Sequence, residues 1–101
     1  MGRPVIIVQD RKELPEACFH LIFNRLAFSW QGRLYEKAQS FKGGLVPYID
    51  IGDWRYISQN SQKEGKWGEM ARKGRQIMWI IRKSDNKWMG RMVDGQLERI
   101  D

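Results

Sequence analysis

The chain has a single cysteine, Cys18, and a single histidine, His20. A lone cysteine closes no intrachain disulfide, so a disulfide-built secreted scaffold is excluded. One Cys and one His fall short of the three or four ligands of a zinc site. They also stand two residues apart, where helical side chains point in different directions, so a Cys–His nucleophile pair is disfavoured. Long apolar runs are missing as well. The most apolar stretch, residues 17–30, carries His20, Asn24 and Arg25 and is shorter than the ~20 residues of a membrane span. The first residues show neither a signal-peptide core nor a Ser or Thr at position 6 for myristoylation. A cytoplasmic protein without a membrane partner is the expectation.

Phosphate loops are lacking too. The glycines fit neither the dinucleotide fingerprint nor the P-loop, since Gly65-Lys66 is followed by Trp67. The acids are scattered. Asp50 and Asp53, across Gly52, are the only close pair in mid-chain; they would bind a metal weakly, and turn stabilisation explains Asp53 equally well. No metal, cofactor or catalytic residue is expected.

Core material is present. Hydrophobic residues make up 42% of the 101 residues, with 5 Trp, 4 Phe and 3 Tyr, so the chain can bury one core. The length suits one domain over residues 1–101. The order expected is β-α-β-β-β-α-β-β-β. It amounts to an α+β fold: a mainly antiparallel sheet, one long N-terminal helix packed on it, a short second helix and a C-terminal three-strand meander.

Residues 4–9 read as a strand apolar on both faces, hence central in its sheet. Residues 10–30 read as the long helix, with Asp10 and Glu13 forming a capping box and Pro15 moving the regular start toward Leu14. Its apolar residues cover most of the circumference, leaving a polar stripe of Glu13, Glu16, His20 and Asn24. Such a helix packs between two layers, or turns one side to a second copy as a homodimer. Gly32 reads as its stop. Residues 33–38 suggest a short strand, Lys42-Gly43-Gly44 a turn, and residues 45–51 a strand that Pro47 marks as an edge or a bulge. Gly52-Asp53 is a turn into β structure at 54–57, with Trp54 and Tyr56 on one face. A polar loop at 58–65 precedes the short helix 67–73, closed by Gly74. Strands follow at 76–83, 88–93 and 96–100, with Asp94-Gly95 as a hairpin turn. Ile77, Trp79 and Ile81 share one face of their strand, Met78 and Ile80 the other.

The formal charge is +6. Nine basic residues and three acids lie between residues 63 and 91, so that stretch holds the whole excess. A polarised charge suits an acidic partner, either nucleic acid or an acidic protein face. The candidate contacts are Lys66, Trp67, Arg72, Lys73, Arg75, Arg82, Lys87 and Arg91, with Trp88 among them. Cations that track phosphates and rings that stack on bases are the chemistry of single-stranded nucleic acid binding. A helix C-terminus complemented by Arg72 and Lys73 accounts for part of the same run. Strict alternation puts Arg91 with Met89 and Val93 on one face and Trp88 on the other, which divides the set. A small RNA- or single-stranded-DNA-binding module is therefore the leading expectation. A protein-interaction or homodimeric accessory protein is the rival, and a metal-independent ribonuclease the third reading. His20, between Glu16 and Asn24, is expected to be satisfied by its helical neighbours rather than catalytic.

Overall fold

The computed structural model describes residues 4–44, 46–58 and 75–99. The expected loop beyond Ser58 and the short helix 67–73 lie outside these residues.

The N-terminal third is a β-α-β unit followed by a hairpin. Strand β1 (Val5–Val8) leads into one 3₁₀ turn (Arg11–Glu13) and helix α1 (Leu14–Asn24). The capping box forms as the sequence implies. Asp10 Oδ1 accepts the Lys12 N–H at 3.0 Å, and Glu13 Oε1 accepts the Asp10 N–H at 3.1 Å. Pro15 occupies the first turn of α1, where no N–H is needed.

The helix does not reach residue 30. It stops at Asn24, because Arg25 turns left-handed (φ 56°, ψ 37°) and its N–H closes on the Leu21 carbonyl at 3.1 Å. Beyond it the apolar pattern changes period. Phe28 and Trp30 are buried while Ala27 and Ser29 are only half-buried, so β2 (Ala27–Trp30) is a strand. The stretch is too apolar all round for its periodicity to show where 3.6 gives way to 2. Gly32 is therefore no helix stop. With Gln31 (φ 50°) and Gly32 (φ 76°) both at positive φ, the pair forms a primed hairpin turn into β3 (Arg33–Tyr35).

A left-handed non-glycine residue is strained by roughly 1–2 kcal/mol. Arg25→Gly is accordingly expected to raise stability by about 0.5–1 kcal/mol in urea unfolding. A loss of similar size would instead mean that the helix runs through this position.

Strand β1 is not central. The small sheet has the order β1-β2-β3, with β1 parallel to β2 and at the edge. Val5, Ile6 and Ile7 are exposed and only Val8 is buried. Apolar residues on both faces here reflect an uncovered outer face and edge, not burial on two sides.

The larger sheet has six antiparallel strands in chain order: β4 (Gln39–Phe41), β5 (Val46–Ile51), β6 (Trp54–Ser58), β7 (Ile77–Arg82), β8 (Lys87–Val93) and β9 (Gln96–Arg99). The expected three-strand C-terminal meander is thus not a separate unit; its strands continue into β6, β5 and β4. Pro47 faces Ser40 of β4, and the β5–β6 register begins only at Tyr48, so the missing N–H sits where β5 has one neighbour. Asp94 (φ 51°) and Gly95 (φ 87°) make the tight turn between β8 and β9.

Helix α1 packs between the two sheets. Its Leu14, Ala17, Cys18, Phe19 and Leu21 meet Phe28 and Trp30 from one sheet and Ile49, Tyr56, Met78, Ile80 and Met92 from the other. The two-layer explanation for its wide apolar surface therefore holds. Burial pushes the Cys18 thiol up, away from the reactive thiolate. Val46, Ile57, Ile77 and Trp79 form a second cluster on the opposite face of the larger sheet. Hence β7 is apolar on both sides because both sides are covered. Among the described residues no helix is long and apolar enough to cross a membrane.

Candidate functional site

The face of the larger sheet turned away from α1 carries a ladder of rings and guanidinium groups. Directly paired residues of antiparallel strands share a face. The rows are therefore Tyr48–Ile57–Trp79–Arg91–Glu98 and Asp50–Arg55–Ile81–Trp88.

Trp88 reaches this face through a β-bulge. Ile80 pairs with Gly90 but Ile81 pairs with Trp88, leaving Met89 as the extra residue. The slip moves Met89 to the helix side, against the main core, and brings Trp88 round to Trp79 and Arg91. Strict alternation had set Arg91 with Met89 and apart from Trp88; the bulge reverses both assignments. The Trp79 and Trp88 rings lie 4.4 Å apart, and the Arg91 guanidinium sits over the Trp79 ring at 5.4 Å. Arg91 Nε also donates to Glu98 Oε1 at 2.6 Å.

A second group lies across the β4–β5–β6 end. Phe41 and Tyr48 stack at 4.0 Å with an interplanar angle of 11°. The Arg55 guanidinium covers both rings, 4.8 Å from Tyr48 and 5.2 Å from Phe41. It also forks onto Asp50, with Nε to Oδ1 at 2.8 Å and Nη2 to Oδ2 at 3.0 Å. Lys83 Nζ approaches Asp50 Oδ2 at 3.5 Å. Burial alone would raise the Asp50 carboxyl, but the Arg55 and Lys83 cations outweigh it and hold Asp50 below its ordinary range. Asp50 is therefore a counter-ion. Asp53 accepts the Ser84 hydroxyl at 2.7 Å, tying two hairpins together. No cluster with metal-ligand composition occurs among the described residues.

The sequence-derived basic set is divided by the fold. Arg91 lies on the outer face. Arg82 and Lys87 pair with each other across β7 and β8, and Arg82 also with Trp54, which packs on the helix side. Arg82 forks onto Asp85 at 3.0 and 2.8 Å, and this pairing draws the Asp85 carboxyl down to about 2. Arg75 is exposed just before β7. Lys66, Trp67, Arg72 and Lys73 lie outside the described residues. The candidate set leaves out Phe41, Tyr48 and Arg55, and also Lys83, which is counted only in the charge excess. Their signal was positional: Phe41 and Tyr48 flank the Lys42-Gly43-Gly44 turn, and a hairpin there brings them together.

His20 lies where its helical stripe puts it. Asn24 Nδ2 donates to Nδ1 at 2.9 Å, which leaves the proton on Nε2, 3.8 Å from Glu16.

Comparison with protein-family models, with curated proteins and with solved structures gave no match.

Proposed function

We propose that the protein is a small module that binds RNA or single-stranded DNA, with bases against the outer face of the larger sheet. The observation that carries this reading is the β8 bulge. It places Trp88, 36% exposed, on the same face as Tyr48, Phe41, Arg55 and Arg91. Trp79 and Ile77 are buried within this face, so the stacking surface is the exposed Trp88 ring, with the Arg91 guanidinium on the same side. Such a ring accepts a base of any sequence, since every base has a π-face. The charge excess supports the same reading. Lys63, Lys66, Arg72 and Lys73 belong to the stretch of sequence between β6 and β7 and carry part of that excess.

The test is a titration with a short labelled single-stranded RNA at several salt concentrations. Affinity should fall steeply with salt as phosphate neutralisation releases counterions. Replacing Arg72, Lys73 and Arg75 together by Gln should flatten that dependence, and Trp88→Ala should weaken binding by about 1–3 kcal/mol at every salt. Absence of binding at low salt removes the nucleic-acid reading. An unchanged salt slope in the triple variant removes the basic run from the contact. Turnover of the labelled RNA would move the protein to the nuclease reading.

A further inference from the structure

The edge of the small sheet stands apart from the basic, aromatic face. Among the described residues, strand β1 is hydrogen-bonded on one side only, to β2. Ile7 is 63% exposed, Val5 42% and Ile6 36%. Folded proteins blunt such edges with lysine, an internal proline or a bulge. Here the strand is Val-Ile-Ile-Val, Pro4 precedes it, and its register with β2 is unbroken.

A cleft of about 270 Å³ runs along this strand on the helix side. Ile6, Val8, Ala17 and Leu26 give it an apolar floor, and Glu13, Glu16 and His20 also line it, with His20 Nε2 3.8 Å from Glu16 Oε2. Glu13 commits Oε1 to the capping box, and the Glu16 side chain is 68% exposed. The cations nearest in sequence, Arg11 and Lys12, line a different groove, with Trp54 and Leu97. A chain of net charge +6 therefore presents two carboxylates beside the exposed apolar edge of β1.

We propose that β1 is the docking edge for an extended peptide segment of another protein, alternating basic and apolar residues, which joins the small sheet as a fourth strand. Main-chain hydrogen bonds to β1 supply the affinity common to strand addition. Alternation supplies the selectivity. Side chains on the helix side lay an aliphatic stem over Ala17 and Leu26 and carry a cation to Glu13 and Glu16. Those on the other side pack beside Val5 and Ile7. A second copy fits this edge less well, because its own Glu13 and Glu16 would meet the same two carboxylates.

The experiment is fluorescence anisotropy of the full chain with a labelled hexapeptide alternating lysine and valine. Both partners are cationic overall, so diffuse attraction does not favour binding. Saturable binding is expected, weakened about tenfold by Glu16→Lys. It should also be lost when alternate peptide amides are N-methylated on the hydrogen-bonding side. Glu16 and Ile7 are exposed, so their variants keep the fold. The proposal is overturned by absence of binding, by equal binding of a glutamate–valine peptide, or by indifference to Glu16→Lys. A concentration-dependent dimer in sedimentation that Ile7→Lys abolishes would assign the edge to a second copy and likewise overturn it. None of these outcomes bears on RNA binding at the opposite sheet.

Discussion

Trp79→Ala is expected to lower the free energy of unfolding by about 3–5 kcal/mol, the largest single-residue effect anticipated in this chain. Trp79 is fully buried at the middle of β7, a strand with hydrogen-bonded neighbours on both sides. Ile57 and Arg91 flank it in register, and it packs with Val46 and Ile77 in the outer cluster. Truncation removes the indole, the surface on which Trp88 rests and the ring beneath the Arg91 guanidinium. Strands on either side are fixed by their ladders, so the space cannot collapse and a cavity remains. A domain of this size has roughly 5–15 kcal/mol in total, so the loss is a large fraction. Urea unfolding followed by far-UV circular dichroism measures it. Trp88→Ala is the internal control, since a ring already 36% exposed should lose less. A Trp79→Ala protein that melts near the parent temperature would show that this face is not a packed core.

The second large effect is electrostatic and depends on pH. Asp50→Asn is expected to cost about 1–3 kcal/mol near neutrality, because the half-buried Arg55 loses the counter-ion it forks onto, and the exposed Lys83 loses a weaker one. The folded-state pKa of Asp50 is lowered relative to the unfolded chain. Its ionised form therefore stabilises the fold fully above the ordinary carboxylate range, and that contribution disappears as pH falls through the depressed value. The asparagine variant never has it. The stability gap between parent and variant should thus be widest above the ordinary carboxylate range and close as pH falls through the depressed Asp50 value. Taking the difference also removes Asp85, whose lowered pKa adds the same acid loss to both proteins. Urea midpoints of the two proteins across pH measure the gap. A gap that stays constant to acid pH would assign the loss to the asparagine's packing and not to charge.

How much of this was legible depends on whether the determinant was local. The capping box at Asp10 and Glu13, the Asp94-Gly95 turn and the two apolar faces of β7 are properties of a few consecutive residues, and they read directly. Strand β2 was hidden because residues 17–30 are apolar in nearly every direction, so helical and extended periods fit almost equally well. The edge position of β1 is a matter of what lies beside it, which four consecutive β-branched residues cannot reveal. The bulge at Met89 was the costliest omission for the site. One unpaired residue reverses every face assignment before it, and nothing in Lys87-Trp88-Met89-Gly90-Arg91 marks the slip. The basic run was visible as charge. Its partners Asp85 and Glu98 became evident only once the strands were paired.

The order of strands in the larger sheet also shapes how the chain assembles in time. Every hydrogen-bonded neighbour there is the next strand along the chain. Four of the five pairings close over short turns, so they form from local encounters on the microsecond scale of isolated hairpins, about 1–10 μs each. The exception is β6 with β7, where Ser58 meets Met78 across the long connection. Joining β4–β5–β6 to β7–β8–β9 at that seam is the step with the greatest loop-closure entropy, and it is the step that seats Trp79 beside Ile57. Because that entropy grows only logarithmically, doubling the connection would add just about 0.6 kcal/mol. The seam can therefore carry a basic segment of almost any length with little thermodynamic penalty, and the sheet sets no upper bound on it.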